Sequence, residues 1–125
     1  MKALEYLRPE SLDELFAMLA THGSNARLLA GGTDLVARLR KDASAPRDVG
    51  ETADAPLVVI DLKRVQALRS DVTRTSSGAR IGARAVMTDI IADTFIRRHF
   101  PALLEAALVV GSIQIRNRAT VAGNL

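Results

Sequence analysis

Apolar positions come in short groups along the chain, and their spacing separates strands from helices. Leu4 to Leu7 is an apolar group that Pro9-Glu10-Ser11 ends, which reads as an extended segment. Ser11 and Glu14 form the S-x-x-E pattern of a helix start, and Leu12, Leu15, Phe16 and Leu19 follow at helical spacing. A helix is predicted over residues 11–21, stopped by Gly23, with His22 near its C-terminus in a structural role that favours the helix dipole. Arg27-Leu28-Leu29-Ala30 is predicted as a short strand running into Gly31-Gly32-Thr33-Asp34. Thr33 or Asp34 can cap the turn of helix that Leu35, Val36 and Leu39 suggest. Lys41 to Pro56 holds two prolines and one glycine without an apolar period, the pattern of a loop. Leu57-Val58-Val59-Ile60-Asp61 is a continuous branched run, the signature of a buried strand.

In the second half Val65 and Leu68 suggest one helical turn. Ser76-Ser77-Gly78 reads as a turn joining strands Asp71 to Thr75 and Ala79 to Ala83. Thr88 is expected to cap a helix with Asp89 in its first turn and Ile90, Ile91 and Phe95 on its apolar side. Pro101 begins another helix that runs to Val110 and ends at Gly111. His99 has no partner carboxylate or histidine nearby in sequence and is expected at the surface.

A length of 125 residues allows one domain or two small lobes. With 48% hydrophobic and 25% charged residues the composition is that of an ordinary globular chain. No apolar run is long enough to span a membrane and the start lacks a signal peptide's apolar stretch, so a cytoplasmic location is expected. The absence of cysteine excludes disulfides, thiolate metal sites and cysteine nucleophiles from this chain, so redox chemistry would need a bound cofactor. Charge is uneven: residues 1–62 carry seven Lys/Arg against ten Asp/Glu, and residues 63–125 carry ten against four. The basic half could face an anion or an acidic partner, although most of these arginines are expected simply to be solvated.

Two glycine-bearing segments carry the candidate chemistry. Leu29-Ala30-Gly31-Gly32-Thr33-Asp34-Leu35 places glycines between a strand and a helix, where a ligand can approach the backbone and outward amides can hold a diphosphate. Thr33 adds a hydroxyl donor, whereas Asp34 would repel phosphate unless it caps the helix or binds a hydroxyl. An ordinary tight turn explains the same residues. In the segment Gly111 to Leu125, an extended chain would project Arg116 and Arg118 to one face, and Thr120, Gly123 and Asn124 offer a hydroxyl, an open backbone and an amide. A polar loop closing a sheet is the alternative. Neither a G-x-x-x-x-G-K-[ST] loop nor a G-x-G-x-x-G turn is present, no G-x-S-x-G or metal-ligand spacing occurs, and no catalytic or metal residue is assigned. Aromatic residues make up 3%, which argues against RNA recognition by base stacking.

Taken together, Ala30-Gly31-Gly32-Thr33-Asp34-Leu35, Ile81-Gly82-Ala83, Gln114-Ile115-Arg116-Asn117 and Ala119-Thr120-Val121-Ala122-Gly123-Asn124-Leu125 resemble, in order, the FAD-binding subunit of molybdenum hydroxylases. That family includes the medium subunits of carbon monoxide dehydrogenase and bacterial xanthine dehydrogenase. The resemblance implies an α+β, two-lobed FAD-binding domain of the vanillyl-alcohol-oxidase type, truncated at its C-terminus, with lobes at residues 1–60 and 61–125. It implies that Leu29, Ala30, Gly31, Gly32, Thr33, Asp34 and Leu35 line one side of FAD, and Thr120, Val121, Ala122, Gly123 and Asn124 the other. The expected partners are a large subunit with the molybdenum cofactor and a small subunit with two two-iron two-sulfur clusters, with electrons passing through FAD to NAD or another acceptor.

The family's second motif reads T-[IV]-G-G-[NS], and Ala122 stands at its first glycine. At positive φ its methyl would cost on the order of 1 kcal/mol and weaken FAD binding. Family members also continue with an A-S-P-x-x-D stretch and a further domain, so the 125 residues alone are expected to bind FAD weakly or not at all. A non-catalytic fragment or interaction module is the competing reading, followed by a different flavoenzyme of the same fold and, last, a nucleic-acid-binding domain.

Overall fold

Val58, Val59 and Ile60 are almost completely buried, as their continuous branched run requires, and they form the middle of a parallel sheet. The structure is a computed structural model that describes residues 4–41 and 56–125. The loop read over Lys41 to Pro56 therefore lies outside the described residues except at those two ends. Strands β1 (Leu4–Leu7), β2 (Ala26–Leu29) and β3 (Leu57–Asp61) pair in the order β1-β3-β2, all parallel. Each fully buried branched aliphatic of β3 contributes about 1.5–3 kcal/mol.

Helix α1 (Leu12–His22) joins β1 to β2 and packs on β3, with Leu15 buried. Its start follows from the S-x-x-E pattern: Ser11 Oγ accepts from the Glu14 N–H at 3.2 Å, and Glu14 Oε2 accepts from the Glu10 N–H at 2.7 Å. Gly23 ends the helix at φ 50°, donating to the Leu19 carbonyl. Helix α2 (Leu35–Lys41) follows β2. A 3₁₀ turn, Leu62–Arg64, follows β3 and leads into the fully buried Val65.

Two compact units divide the chain, Met1–Ala67 and Leu68–Leu125. The seam lies past residue 60 because Val65 is buried and the Gln66 N–H bonds to the Glu10 carbonyl at 3.3 Å, which ties both to the first unit. In the second unit β4 (Val72–Arg74) and β5 (Ala79–Ile81) form an antiparallel hairpin, shorter than the predicted strands. Helices α3 (Met87–Ala92), α4 (Thr94–His99), α5 (Pro101–Leu108) and α6 (Ile113–Arg116) follow. Ala85, Met87, Ile90, Ile96, Ala107 and Ala119 make its core, and the hairpin adds Val72, Ala79 and Ile81.

The helix expected from Thr88 through Phe95 is two helices. Val86 rather than Thr88 precedes the first, and Asp93 breaks the run because its carboxylate accepts the Ile96 N–H at 2.8 Å and starts α4. Thr88 Oγ1 instead donates to Asn117 Oδ1 at 2.6 Å. Nor is the segment around Arg116 extended: Ser112 caps a short helix there by accepting from the Ile115 N–H. No helix among the described residues is long and apolar enough to cross a membrane.

Candidate functional site

Because all three strands of the first unit run parallel, their carboxyl ends, at Leu7, Leu29 and Asp61, lie along one sheet edge. That is the edge at which open parallel sheets hold ligands. The glycine turn springs from it, since Ala30 directly follows Leu29 and α2 begins at Leu35. Gly32 sits at φ 80°, in the region that favours glycine, whereas Gly31 does not. A Cβ on Gly32 would also come within 3.0 Å of Leu29 Cδ1 and 3.4 Å of Val36 Cγ2, so dihedral and space both ask for glycine.

The Gly32 and Asp34 carbonyls accept from the Val36 and Arg38 N–H groups at 3.1 and 2.9 Å and so begin the helix. The expected side-chain cap is absent: among the described residues neither Thr33 Oγ1 nor the Asp34 carboxylate bonds to α2. The N–H groups of Gly32, Thr33 and Asp34 likewise have no acceptor among the described residues. Three amides and a hydroxyl beside a helix start form a donor set that fits an anionic group such as a diphosphate. The exposed Asp34 carboxylate suits a hydroxyl.

Beside this turn, Asp61 is 2% exposed and fully engaged. The Tyr6 hydroxyl donates to its Oδ2, the Lys63 N–H donates to Oδ1 at 2.9 Å, and the Lys63 ammonium lies 2.7 Å from the same oxygen. Burial opposes ionisation of Asp61, but the hydrogen bonds from Lys63 and Tyr6 outweigh it and hold the carboxyl below its ordinary value. The same bond, accompanied by desolvation, pushes the Tyr6 phenol above its ordinary value. Sequence reading missed both residues, since 55 positions separate them and no short motif joins them.

The second segment lies in the second unit and is built differently. Thr120, 4% exposed, pairs with Val86 as an antiparallel bridge, and the Val121 N–H reaches the Ala85 carbonyl at 3.4 Å. Thr120 Oγ1 accepts from the Gly123 N–H at 3.0 Å, and Asn124 Nδ2 donates to the Thr120 carbonyl at 2.8 Å. Ala122–Asn124 is therefore one 3₁₀ turn held by Thr120. Neither Ala122 nor Gly123 has a positive φ, so the cost expected at Ala122 does not arise.

Residues 2–125 match the family described as the FAD binding domain in molybdopterin dehydrogenase. The chain belongs to this family. It is 33% identical over 121 residues to the carbon monoxide dehydrogenase medium chain of Hydrogenophaga pseudoflava, covering 97% of this chain and 38% of that one. To the nicotinate dehydrogenase FAD-subunit of Eubacterium barkeri it is 36% identical over 126 residues, 100% of this chain and 39% of that one. A solved carbon monoxide dehydrogenase from Hydrogenophaga pseudoflava, lacking the Mo-pyranopterin moiety of its cofactor, matches with a TM-score of 0.80 and 34% identity over 99% of this chain and 40% of that one. The chain thus spans well under half the length of these relatives.

As an FAD-binding domain of this family, the chain has the α+β architecture its motifs implied, and the remaining motif residues take structural places. A Cβ on Gly82 would lie 2.5 Å from the Arg69 carbonyl carbon, so this glycine lets two backbone segments touch. Arg116, expected to project from an extended chain, donates to the carbonyls of Leu108, Val110 and Gly111 and closes the end of α5. Among the described residues no group of three or more His, Cys, Asp or Glu gathers as a metal site.

Proposed function

We propose that the chain binds FAD and acts as the flavin unit of a cytoplasmic molybdenum hydroxylase, handing electrons from a partner's iron–sulfur clusters to NAD or another acceptor. The reading is supported by the names of its relatives, which are medium chains and FAD-subunits of dehydrogenases. The observation that carries it is the turn at Gly32–Asp34, whose amides have no acceptor among the described residues, at the carboxyl edge of a parallel sheet.

In this reading Leu29 to Leu35 hold one side of FAD, with the Gly32, Thr33 and Asp34 amides and the Thr33 hydroxyl donating to the diphosphate. Asp34 accepts from a ribose hydroxyl. Thr120, Val121, Ala122, Gly123 and Asn124 line the other side. Bound FAD supplies the redox chemistry, and these residues hold and orient it. The partners are a molybdenum-cofactor large subunit and an iron–sulfur small subunit.

Titrating the purified chain with FAD and following flavin fluorescence tests the site. Weak quenching that Gly32→Val abolishes is expected. Flavin affinity indifferent to Gly32→Val overturns the reading, and a tight stoichiometric complex overturns the expectation that these residues alone hold FAD only weakly.

A further inference from the structure

We propose that Asp61 is a positioning residue for the glycine turn, setting the place of the Gly32 backbone through the last rung of the sheet. Leu29 and Asp61 are register partners, the final pair of β2 and β3. Paired residues share a sheet face, so Leu29 and Asp61 project to the same side. Leu29 in turn reaches the turn itself: its Cδ1 lies 3.0 Å from where a Gly32 Cβ would stand. The contacts thus run from Asp61 to its strand partner Leu29 and from Leu29 to Gly32.

Asp61 is itself pinned from two directions. Tyr6 on β1 donates to one oxygen, and the Lys63 N–H and ammonium hold the other. A buried carboxylate satisfied on both oxygens is a rigid element, because releasing it would leave a charge without partners in a dry site. It therefore locks the ends of β1 and β3 and the Leu62–Arg64 turn together at the edge from which the glycine turn springs. A cradle that works by backbone amides depends on such support, since its donors sit on the main chain and no side-chain rotamer can correct their aim.

The functional consequence rests on the flavin reading of this turn, while the positioning itself does not. Two measurements on the purified chain separate them: amide hydrogen exchange at Val36 and Arg38, whose N–H groups bond to the Gly32 and Asp34 carbonyls of the turn, and FAD affinity by fluorescence. Asp61→Ala is expected to speed exchange at Val36 and Arg38 and weaken FAD by on the order of tenfold each, and Asp61→Asn, which keeps an acceptor for the Lys63 N–H, restores most of both. Tyr6→Phe removes one bond only and guards against an Asp61→Ala chain that does not fold; it is expected to act in the same direction, less strongly. A purely structural role would speed exchange throughout the sheet and give no selective rescue. Unchanged turn exchange in Asp61→Ala or Tyr6→Phe, or loss spread evenly over the sheet, overturns the proposal. If exchange responds as expected while FAD affinity is indifferent to Gly32→Val, the positioning stands and the flavin reading falls.

Discussion

The two motif segments look alike in sequence and stand on different physics. At Gly31-Gly32 the backbone carries the shape: Gly32 occupies φ 80° with Leu29 and Val36 packed against its open side. At Ala122-Gly123 a side chain carries it, with Thr120 buried and hydrogen-bonded to the Gly123 N–H, and neither Ala122 nor Gly123 at positive φ. A glycine in a motif is therefore no measure of conformational need. The first turn is shaped by the want of a side chain, and the second by the presence of a hydroxyl.

The sharpest extension of this contrast is a third glycine. Gly82→Ala sets a methyl against the backbone of Arg69 and Ser70, which no rotamer can relieve, at a place already fixed by the Gly82 N–H to Asp71 carbonyl and Arg84 N–H to Arg69 carbonyl bonds. Urea unfolding should show a loss of about 3 kcal/mol, more than at either of the two motif turns. Gly32→Ala comes next, at about 1–2 kcal/mol, the cost of a left-handed alanine. Its FAD affinity should fall as well, because the amide donors move with the turn; a variant of wild-type stability would mean that φ at Gly32 is not fixed.

How much of this was legible beforehand follows from distance along the chain. Ser11 with Glu14, Gly23 and Pro101 act within a few residues, and the helix ends they mark stand where local chemistry puts them. The break at Asp93 was also local, an Asp-Thr pair ahead of Phe95 and Ile96, but the continuous apolar spacing of Ile90, Ile91 and Phe95 masked it. Alternation of Arg116 and Arg118 suggested an extended chain, while Ser112, the residue that caps α6, carried the better signal. The strand order β1-β3-β2 and the Tyr6–Asp61 bond join residues far apart in sequence, and no local pattern encodes them. At the candidate site the glycines were readable, and the carboxylate behind them was not.

Smaller effects sharpen the second turn and the support of the first. Thr120→Val keeps the buried volume and removes the acceptor for Gly123; since Gly123 is exposed and water can replace the bond, thermal or urea unfolding should register about 1 kcal/mol. Near the first turn, pH acts on Asp61 and Tyr6 with opposite signs. Asp61 has a folded pKa below the ordinary 3.8, so its contribution is complete above that value and is lost as pH falls through the folded one. Tyr6 has a folded pKa above the ordinary 10.0, so its contribution is complete below that value and is lost as pH rises through the folded one. Tyr6→Phe should abolish the alkaline loss and shrink the acid loss without removing it, because Lys63 still holds Asp61; urea midpoints across pH for both chains measure this.

The smallest effect discriminates best. Ala122→Gly restores the family's glycine, and if that glycine served an unusual dihedral the change would stabilise the chain and tighten FAD. Ala122 already lies in a 3₁₀ turn without positive φ, so glycine brings no relief there and widens the range of conformations the unfolded chain can sample. Stability should therefore fall by about 0.5 kcal/mol, with the Thr120–Gly123 bond intact. A gain in stability would place the strain of a left-handed residue in the second turn and erase the difference between the two.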